Sequence, residues 1–521
     1  MRSTIKIVIL LFFICTSMSG ASFPDMEKYM RQHALIWEQL PMQWNEGAFL
    51  GNGLVGMMVY ADSTLNALVF HLGRPDVTDH RKAPYRKTSI GTEEADKMVD
   101  FCRLDVGKML LFPEGKILSG TFYLDIYNAE LTGHLKTDKG DLTFHAYTPQ
   151  PEEVNIVEVS SGVPYRWKGI PGNPCSPRIR VFPHLKEKLK YKDNPAPVVN
   201  QKDKEGSWVQ SLLAGGDYAT YWKEVPGGKS RSVLYVSTAN EVPASSLSLA
   251  KAMKTVEATQ ITGTKLLKQK TRQWWNAYHE RSFLSIPDKK LENFYFIQMY
   301  KLATCSHPDG PAMDVMGTFF KLSPWPSFWW NLNIQLTYMP IGPANRMEQG
   351  KNFQRLMDEV FPSLVRSIEP CKIGDYTWAL QNYYMYLRYA GADWQDIKQQ
   401  VVPKALDAFA VFDKILCYKE NTWHLTHIES PEYEGFQKYN DSNYGLASLS
   451  WLLQTLIACH DRTSSTHPDY ARWKEILTRL APYPTNENGL MIAANKPLEK
   501  SHRHYSHLLA FYPFRLLHPD V

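Results

Sequence analysis

The 521 residues are 44% hydrophobic, 13% aromatic and 21% charged, a globular composition that excludes a disordered or fibrous chain. The 58 basic and 53 acidic residues, net +5, are mixed along the chain, without the basic stripe and interleaved aromatics of a nucleic-acid binder. At roughly 150 residues per domain, the length suggests about two to four domains.

The chain opens with an address. Arg2 and Lys6 form a basic n-region, Ile7 to Ile14 is an unbroken apolar run, and Ser19-Gly20-Ala21 offers small residues for cleavage. A bilayer span needs about 20 apolar residues, so residues 1–21 read as a signal peptide and the protein is expected to be secreted or periplasmic. Cys15 raises the alternative of a lipoprotein, but Phe13 and Ile14 before it are poor for that processing. No later segment reads as a membrane span. The cysteines beyond it, Cys102, Cys175, Cys305, Cys371, Cys417 and Cys459, form no CxxC pair. They read as free thiols rather than a disulfide framework or a zinc site, and neither metal nor cofactor is expected.

From about residue 48 to 245 the pattern is β. Leu54–Tyr60, Leu65–His71, Phe122–Tyr127, Leu142–Tyr147, Val154–Val159 and Val233–Ser237 are short apolar or alternating runs punctuated by Gly, Pro, Asn and Asp. That pattern predicts a sandwich or barrel over residues 22–250. Pro164 to Asp203 is rich in proline and lysine and reads as an exposed excursion, and its Lys186–Lys192 run as a solvated loop. Beyond 245 helices take over, first as a linker over 251–290 containing Leu266–Arg281. A helical domain over 291–521 follows: Leu291–Thr304 places Phe294, Ile297 and Tyr300 at three-residue spacing, and similar stripes recur at 350–368, 376–390, 400–416, 443–459 and 468–480. Paired helices joined by aromatic loops suggest an α/α toroid around a polar cleft.

Four segments look unlike core, cap or turn. Glu46 to Tyr60 carries Gly47, Gly51, Gly53 and Gly56 without the strand–turn–helix setting of a dinucleotide site, and a tight turn into a strand accounts for them. In Trp325 to Gln335, Asn331 and Asn333 lie two apart, a spacing that shares no helix face. They suit either an irregular backbone converging both amides on one water, or an N-cap plus a turn. In His427 to Tyr433, Glu432 follows Ser430-Pro431. On the residues alone it reads first as a helix N-terminal acid, with a general acid, its pKa raised by aromatic neighbours, as the alternative. Ser501 to Pro513 holds His502, His504 and His507, which lack the i, i+4 spacing of a helical zinc site and suit donors lining a sugar pocket.

Taken together and in this order, the segments resemble glycoside hydrolase family 95. Leu50 to Tyr60 matches its LGNGxxGxMVYG-like motif, and Asn331, Asn333, Gln335, Tyr338 and Pro340 match N-x-N-x-Q-x-x-Y-x-P. Ser430 to Glu432 matches Ser-Pro-Glu, and His502 to Pro513 matches HRHxSHLxxxYP. The resemblance implies a β-sandwich, a helical linker and an (α/α)6 barrel, here incomplete, with inverting hydrolysis of α-L-fucosides or related α-L-galactosides in oligo- or polysaccharides. It implies Glu432 as general acid and Asn331 and Asn333 as positioners of the nucleophilic water. Beside it, the residue types alone offer Trp329, Trp330 and Trp378 as surfaces for stacking on a sugar face, and His502, His504 and His507 as pocket donors. The family's water-side aspartate, in an Asp-Gly-Asn-Phe-Gly segment, has no match here. Asp375 and Asp441 are the substitutes that can be named, with nothing in their spacing to place them. Trp329 stands where the family commonly has histidine. These departures keep a second expectation open, a carbohydrate-binding remnant without turnover.

Overall fold

A computed structural model describes residues 25–81, 102–241, 247–328, 331–435 and 437–518; the signal-peptide expectation, Trp329 and Trp330 lie outside them. Among the described residues, fourteen strands precede the main run of helices: β1 (Leu35–Trp37), β2 (Ala48–Gly51), β3 (Gly56–Asp62), β4 (Ala67–Gly73), β5 (Lys108–Pro113), β6 (Ile117–Asp125) and β7 (Glu130–Thr137), then β8 (Asp141–Tyr147), β9 (Val154–Ser161), β10 (Tyr165–Ile170), β11 (Val198–Gln201), β12 (Glu205–Ser211), β13 (Asp217–Pro226) and β14 (Arg231–Glu241). They form a nine-stranded sheet, β1-β6-β7-β8-β9-β14-β13-β12-β11, and a five-stranded sheet, β10-β5-β4-β3-β2. The sheets share one core: Leu50, Met57, Phe70 and Leu111 from the smaller meet Phe122, Phe144, Trp208 and Trp222 from the larger. That is a sandwich, produced by period-two alternation with the apolar set facing inward.

The stretch 164–203 departs from expectation. It contributes β10, paired with β5 along Tyr165–Ile170, and Trp167 is buried in the sandwich. Two short helices, Pro177–Val181 and His184–Lys188, close over a small core of Ile179, Leu185 and Tyr191. The apolar residues among the lysines were too sparse to register as a periodic signal, and tertiary packing gives them their partners.

Two helices, Ser248–Thr262 and Thr264–His279, follow the sandwich and lie against it. Ala252, Val256 and Leu267 cover Tyr147, Ile156 and Tyr235 on the larger sheet, while Trp275 and Tyr278 enter the sandwich core. The remaining helices build a second core. Ile373–Tyr389, Val402–Phe412 and Asn443–Thr463 pack on one another, contributing Tyr376 and Leu380, Ala405 and Phe412, and Leu446, Leu449 and Leu453. The stripe expected over 350–368 is two helices, Lys351–Glu359 and Phe361–Arg366. Pro362 lies in the first turn of the second, where the missing N–H costs nothing, whereas in mid-helix it would break the ladder.

The glycine segment explains itself at the junction of sandwich and helices. Gly53, at φ +83°, donates its N–H to Thr304 O at 3.0 Å, and a Cβ there would lie 2.4 Å from the Ser306 backbone. The buried Asn52 beside it is fully engaged: its amide donates to Pro149 O and Glu152 O, both at 2.8 Å, and its oxygen accepts from Leu54 and Val55 N–H at 3.0 Å. Arg103, 1% exposed, crosses the same junction to Asp314 Oδ2 at 3.0 Å and Gly317 O at 2.6 Å. Through Gly53 the first motif therefore supplies one of the ties between the two halves.

Candidate active site

Two neighbouring clusters gather three of the four segments. The first centres on Asp375, 3% exposed, in the first turn of helix Ile373–Tyr389, where the helix N-terminus favours negative charge. Its Oδ1 accepts from Asn331 Nδ2 at 2.8 Å and from Tyr444 OH at 2.7 Å. Gln335 Nε2 donates to the Asp375 main-chain carbonyl at 3.0 Å, so the motif of Asn331 and Gln335 grips this residue twice. Tyr444 reaches it because Gly374 has no side chain: a Cβ there would sit 2.3 Å from the Tyr444 ring. Sequence spacing gave Asp375 no place, and only the packing of three helices brings it to Asn331. The other nameable substitute, Asp441, is occupied elsewhere, accepting from Leu425 N–H at 2.8 Å and facing His424 Nδ1 at 2.7 Å.

The two asparagines part company. Leu332 between them adopts φ 57°, ψ −64°, a conformation costly for a non-glycine residue. It turns Asn331 inward, 3% exposed, and leaves Asn333 exposed at the start of helix Asn333–Tyr338. Convergence of both amides is thus replaced by an inward amide on a carboxylate and an outward one. Tyr338 of the same motif is structural: its hydroxyl donates to Asn352 Oδ1 at 2.9 Å and accepts from Met313 N–H at 2.7 Å.

Within the segment His427 to Glu434, the carboxyls of Glu429 and Glu432 have opposite character. Three of its residues, His427, Glu432 and Glu434, have positive φ, and such strain concentrates where tertiary structure imposes a special geometry. Glu429, 8% exposed, lies on a two-residue strand paired with Lys438–Tyr439. Burial, and then the charge of Asp375, push its carboxyl up to about 7, against opposing pulls from Lys372 and Cys371. The Cys371 thiol lies 3.6 Å from Glu429 Oε1 and is itself pushed up by burial to about 12, so it stays a donor.

Glu432 contradicts the raised pKa expected for it. A hydrogen bond from His504 holds its carboxyl below the ordinary value, outweighing partial burial, with further help from the charges of His504, Arg503 and His502. His504 Nε2 lies 3.2 Å from Glu432 Oε2, Arg503 is ion-paired to the same oxygen, and the Glu432 side chain remains 26% exposed. Hydrogen bonding and charge from the histidine segment, rather than aromatic surface, set its proton affinity. Ser430 and Ser506, both buried, join the two segments through their hydroxyls at 2.8 Å.

The other expected pocket residues divide. His504 is 6% exposed and touches Glu432, while His502 is partly exposed, its ring packed edge-on to Tyr433 at 5.7 Å. His507 is 5% exposed, its pKa lowered by burial. Trp378 is 3% exposed within the helical core, so in this state its ring offers no open face for stacking; its place one turn inside a buried helix accounts for that. Glu429 and Asp375 are what a reading of motifs underweighted. Glu429 carries a signal in hindsight, an acid inside an otherwise apolar two-residue strand.

Neither a family model nor a curated protein matches the sequence. The fold is similar to that of a putative kojibiose phosphorylase from the human microbiome, with a TM-score of 0.59 at 9% identity over 89% of this chain and 72% of that one. A bacterial glucoamylase complexed with acarbose gives 0.49 at 9% identity, covering 86% and 69%. A GH92 α-mannosidase from Bacteroides thetaiotaomicron complexed with mannoimidazole gives 0.34 at 10% identity, covering 83% and 61%. The first of these establishes the fold as a β-sheet region followed by a helical region of that kind; at such identity it establishes the fold alone.

Proposed function

We propose that the protein is a glycosidase of the inverting type, acting on α-L-fucosides or related α-L-galactosides of oligo- or polysaccharides. The observation that carries this reading is the 2.8 Å hydrogen bond from Asn331 to Asp375. Inversion needs a proton donor on one side of the glycosidic bond and an activated water on the other, with carboxyls about 6.5–9.5 Å apart. An asparagine amide orients water but is too weak a base to take its proton, and Asp375 supplies the missing carboxylate. Glu432, the Ser-Pro-Glu acid of the resemblance, remains partly exposed beside His504, where a leaving-group oxygen could reach it. The fold likeness to a putative kojibiose phosphorylase agrees with sugar chemistry. The helical half is on this reading a toroid, and the chain is exported, with a mature N-terminus near Ser22.

A second reading has its own support. Glu432 is held ionised by His504 and Arg503, and an acid that has lost its proton suits a carbohydrate-binding protein without turnover. Kinetics separate the two. Glu432→Gln and Asp375→Asn should each lower turnover of a natural disaccharide by about 10² to 10⁴, the usual worth of proton transfer. An aryl glycoside with a good leaving group should forgive only the first, and the product of the unaltered enzyme should appear with inverted configuration. Sugar binding by calorimetry with no hydrolysis of either substrate class would establish the binding reading instead.

A further inference from the structure

We infer that a cavity beside the candidate active site is a second sugar-binding site, for one pyranose unit. Its ligand class rests on the glycosidase reading, and its place lies outside the clusters described above. The cavity opens between helix Asn333–Tyr338 with the turn after it, helix Ile373–Tyr389, and the segment from Tyr512 to Arg515. It holds about 440 Å³ with the solvent at its mouth included, within the range of small-molecule sites. Gln335 ties it to the first cluster. Its Nε2 donates to the Asp375 main-chain carbonyl at 3.0 Å, and its own main-chain carbonyl accepts from Asn382 Nδ2 at 2.6 Å. Asn382 lines the cavity, about two helical turns or 10 Å along the axis from Asp375.

One polar group of the cavity is buried and unmet. Asn382 is 6% exposed, and its bond to Gln335 fixes which end of the amide is nitrogen. The other end, Oδ1, is buried and accepts no hydrogen bond among the described residues, a state that costs free energy until a donor reaches it. A sugar hydroxyl is such a donor. The walls supply flat apolar faces. Tyr386 and Tyr389 follow Asn382 on the same side of the helix, at the spacing of successive turns. Each ring lies directly against main chain: a Cβ on Gly350 would sit 2.4 Å from the Tyr386 ring, and one on Gly342 would sit 2.1 Å from the Tyr389 ring. Gln381 Nε2 donates to Pro513 O at 3.1 Å and so fixes the segment that brings Tyr512. Tyr389 and Tyr512 stay 44% and 54% exposed. Tyrosine rings pack on the C–H face of a pyranose while an amide oxygen takes its hydroxyl, the combination of apolar walls and a few placed polar groups that small-molecule sites use.

The test reads binding without turnover. Met339 and Met385 line the same cavity, so their methyl signals report on it in the NMR spectrum of protein carrying methyl-labelled methionine. Met339→Leu and Met385→Leu assign the two signals. Titration with methyl α-L-fucopyranoside or methyl α-L-galactopyranoside should move both saturably. Tyr389→Leu and Asn382→Leu should each raise the half-saturating concentration by about tenfold, the scale of one lost hydrogen bond or ring contact. Tyr512→Leu, at a more exposed ring, should do the same and serves where either of those variants fails to fold. Sorbitol, which offers hydroxyls without a ring face, should move neither signal. Signals unmoved by both glycosides, moved equally by sorbitol, or moved equally in the variants and the unaltered protein would overturn the inference. Saturable shifts that depend on Tyr389, with no hydrolysis of any α-L-fucoside or α-L-galactoside, would refute the glycosidase reading and keep the site. Hydrolysis with both signals unmoved would do the reverse.

Discussion

Single residues set the charge of the site, and their consequences for stability have opposite signs. Glu429 has a folded-state pKa raised by burial, so the stability it contributes is present in full below its unfolded value, near 4.5, and is lost as pH rises to about 7. Glu432 is lowered, chiefly by His504, so its contribution is present above the unfolded value and is lost as pH falls through the folded one. Denaturation midpoints of Glu429→Gln and the unaltered protein should therefore diverge between pH 4.5 and 7, the variant losing less across that interval. Parallel curves would show that Glu429 is not held neutral. Gly374 is the other decisive residue. Gly374→Ala would place a methyl 2.3 Å from the Tyr444 ring, and overpacking of that kind costs about 1–3 kcal/mol. Turnover should fall as Tyr444 leaves Asp375, measured beside the denaturation midpoint to separate the two effects.

Among the elements, helix starts position the chemistry. Asn443–Thr463 begins at Ser442, whose hydroxyl accepts from Gly445 N–H at 3.0 Å. The cap aims Tyr444, in the first turn, at Asp375. Ser442→Ala should cost about 0.5–2 kcal/mol, the usual worth of an N-cap. It should also lower turnover, readable by urea denaturation and kinetics; turnover unchanged at full occupancy of the folded state would detach the cap from the site. The helix stripes after residue 290 were legible because three- and four-residue spacing survives in buried helices such as the one bearing Leu446, Leu449 and Leu453. Strands such as Lys108–Pro113 and Asp217–Pro226 escaped notice. Their buried runs carry little alternation, and periodicity alone does not separate such runs from helix. The stripe over 350–368 contained its own correction in Pro362.

For the whole molecule, the backbone contact at Gly53 and the Arg103 side chain are two of the ties across the junction between sandwich and helices. Arg103→Met would leave Asp314, 9% exposed in its side chain, without its cation, and breaking a buried pair costs about 3–5 kcal/mol. Calorimetry should then resolve the halves into separate transitions, where the unaltered protein melts in one; a single unshifted transition in the variant would show that the junction does not depend on this pair. No helix among the described residues is long and apolar enough to cross a membrane.

What the sequence by itself determined is the material that repeats or is locally constrained. The change from punctuated strands to helical stripes, the glycine turn before β3 and the segments around Asn331, Glu432 and His504 follow from period, turn chemistry and residue type. What only the tertiary structure decided is which carboxyls meet and what charge they bear. Asp375 lies 44 residues from Asn331 and 69 from Tyr444, separations over which no local pattern carries information. The ionisation of Glu429 and Glu432 depends on burial and on charges brought in by other elements, Asp375 for one and His504 with Arg503 for the other. Proton affinity is a property of surroundings, and surroundings exist only once the chain has folded.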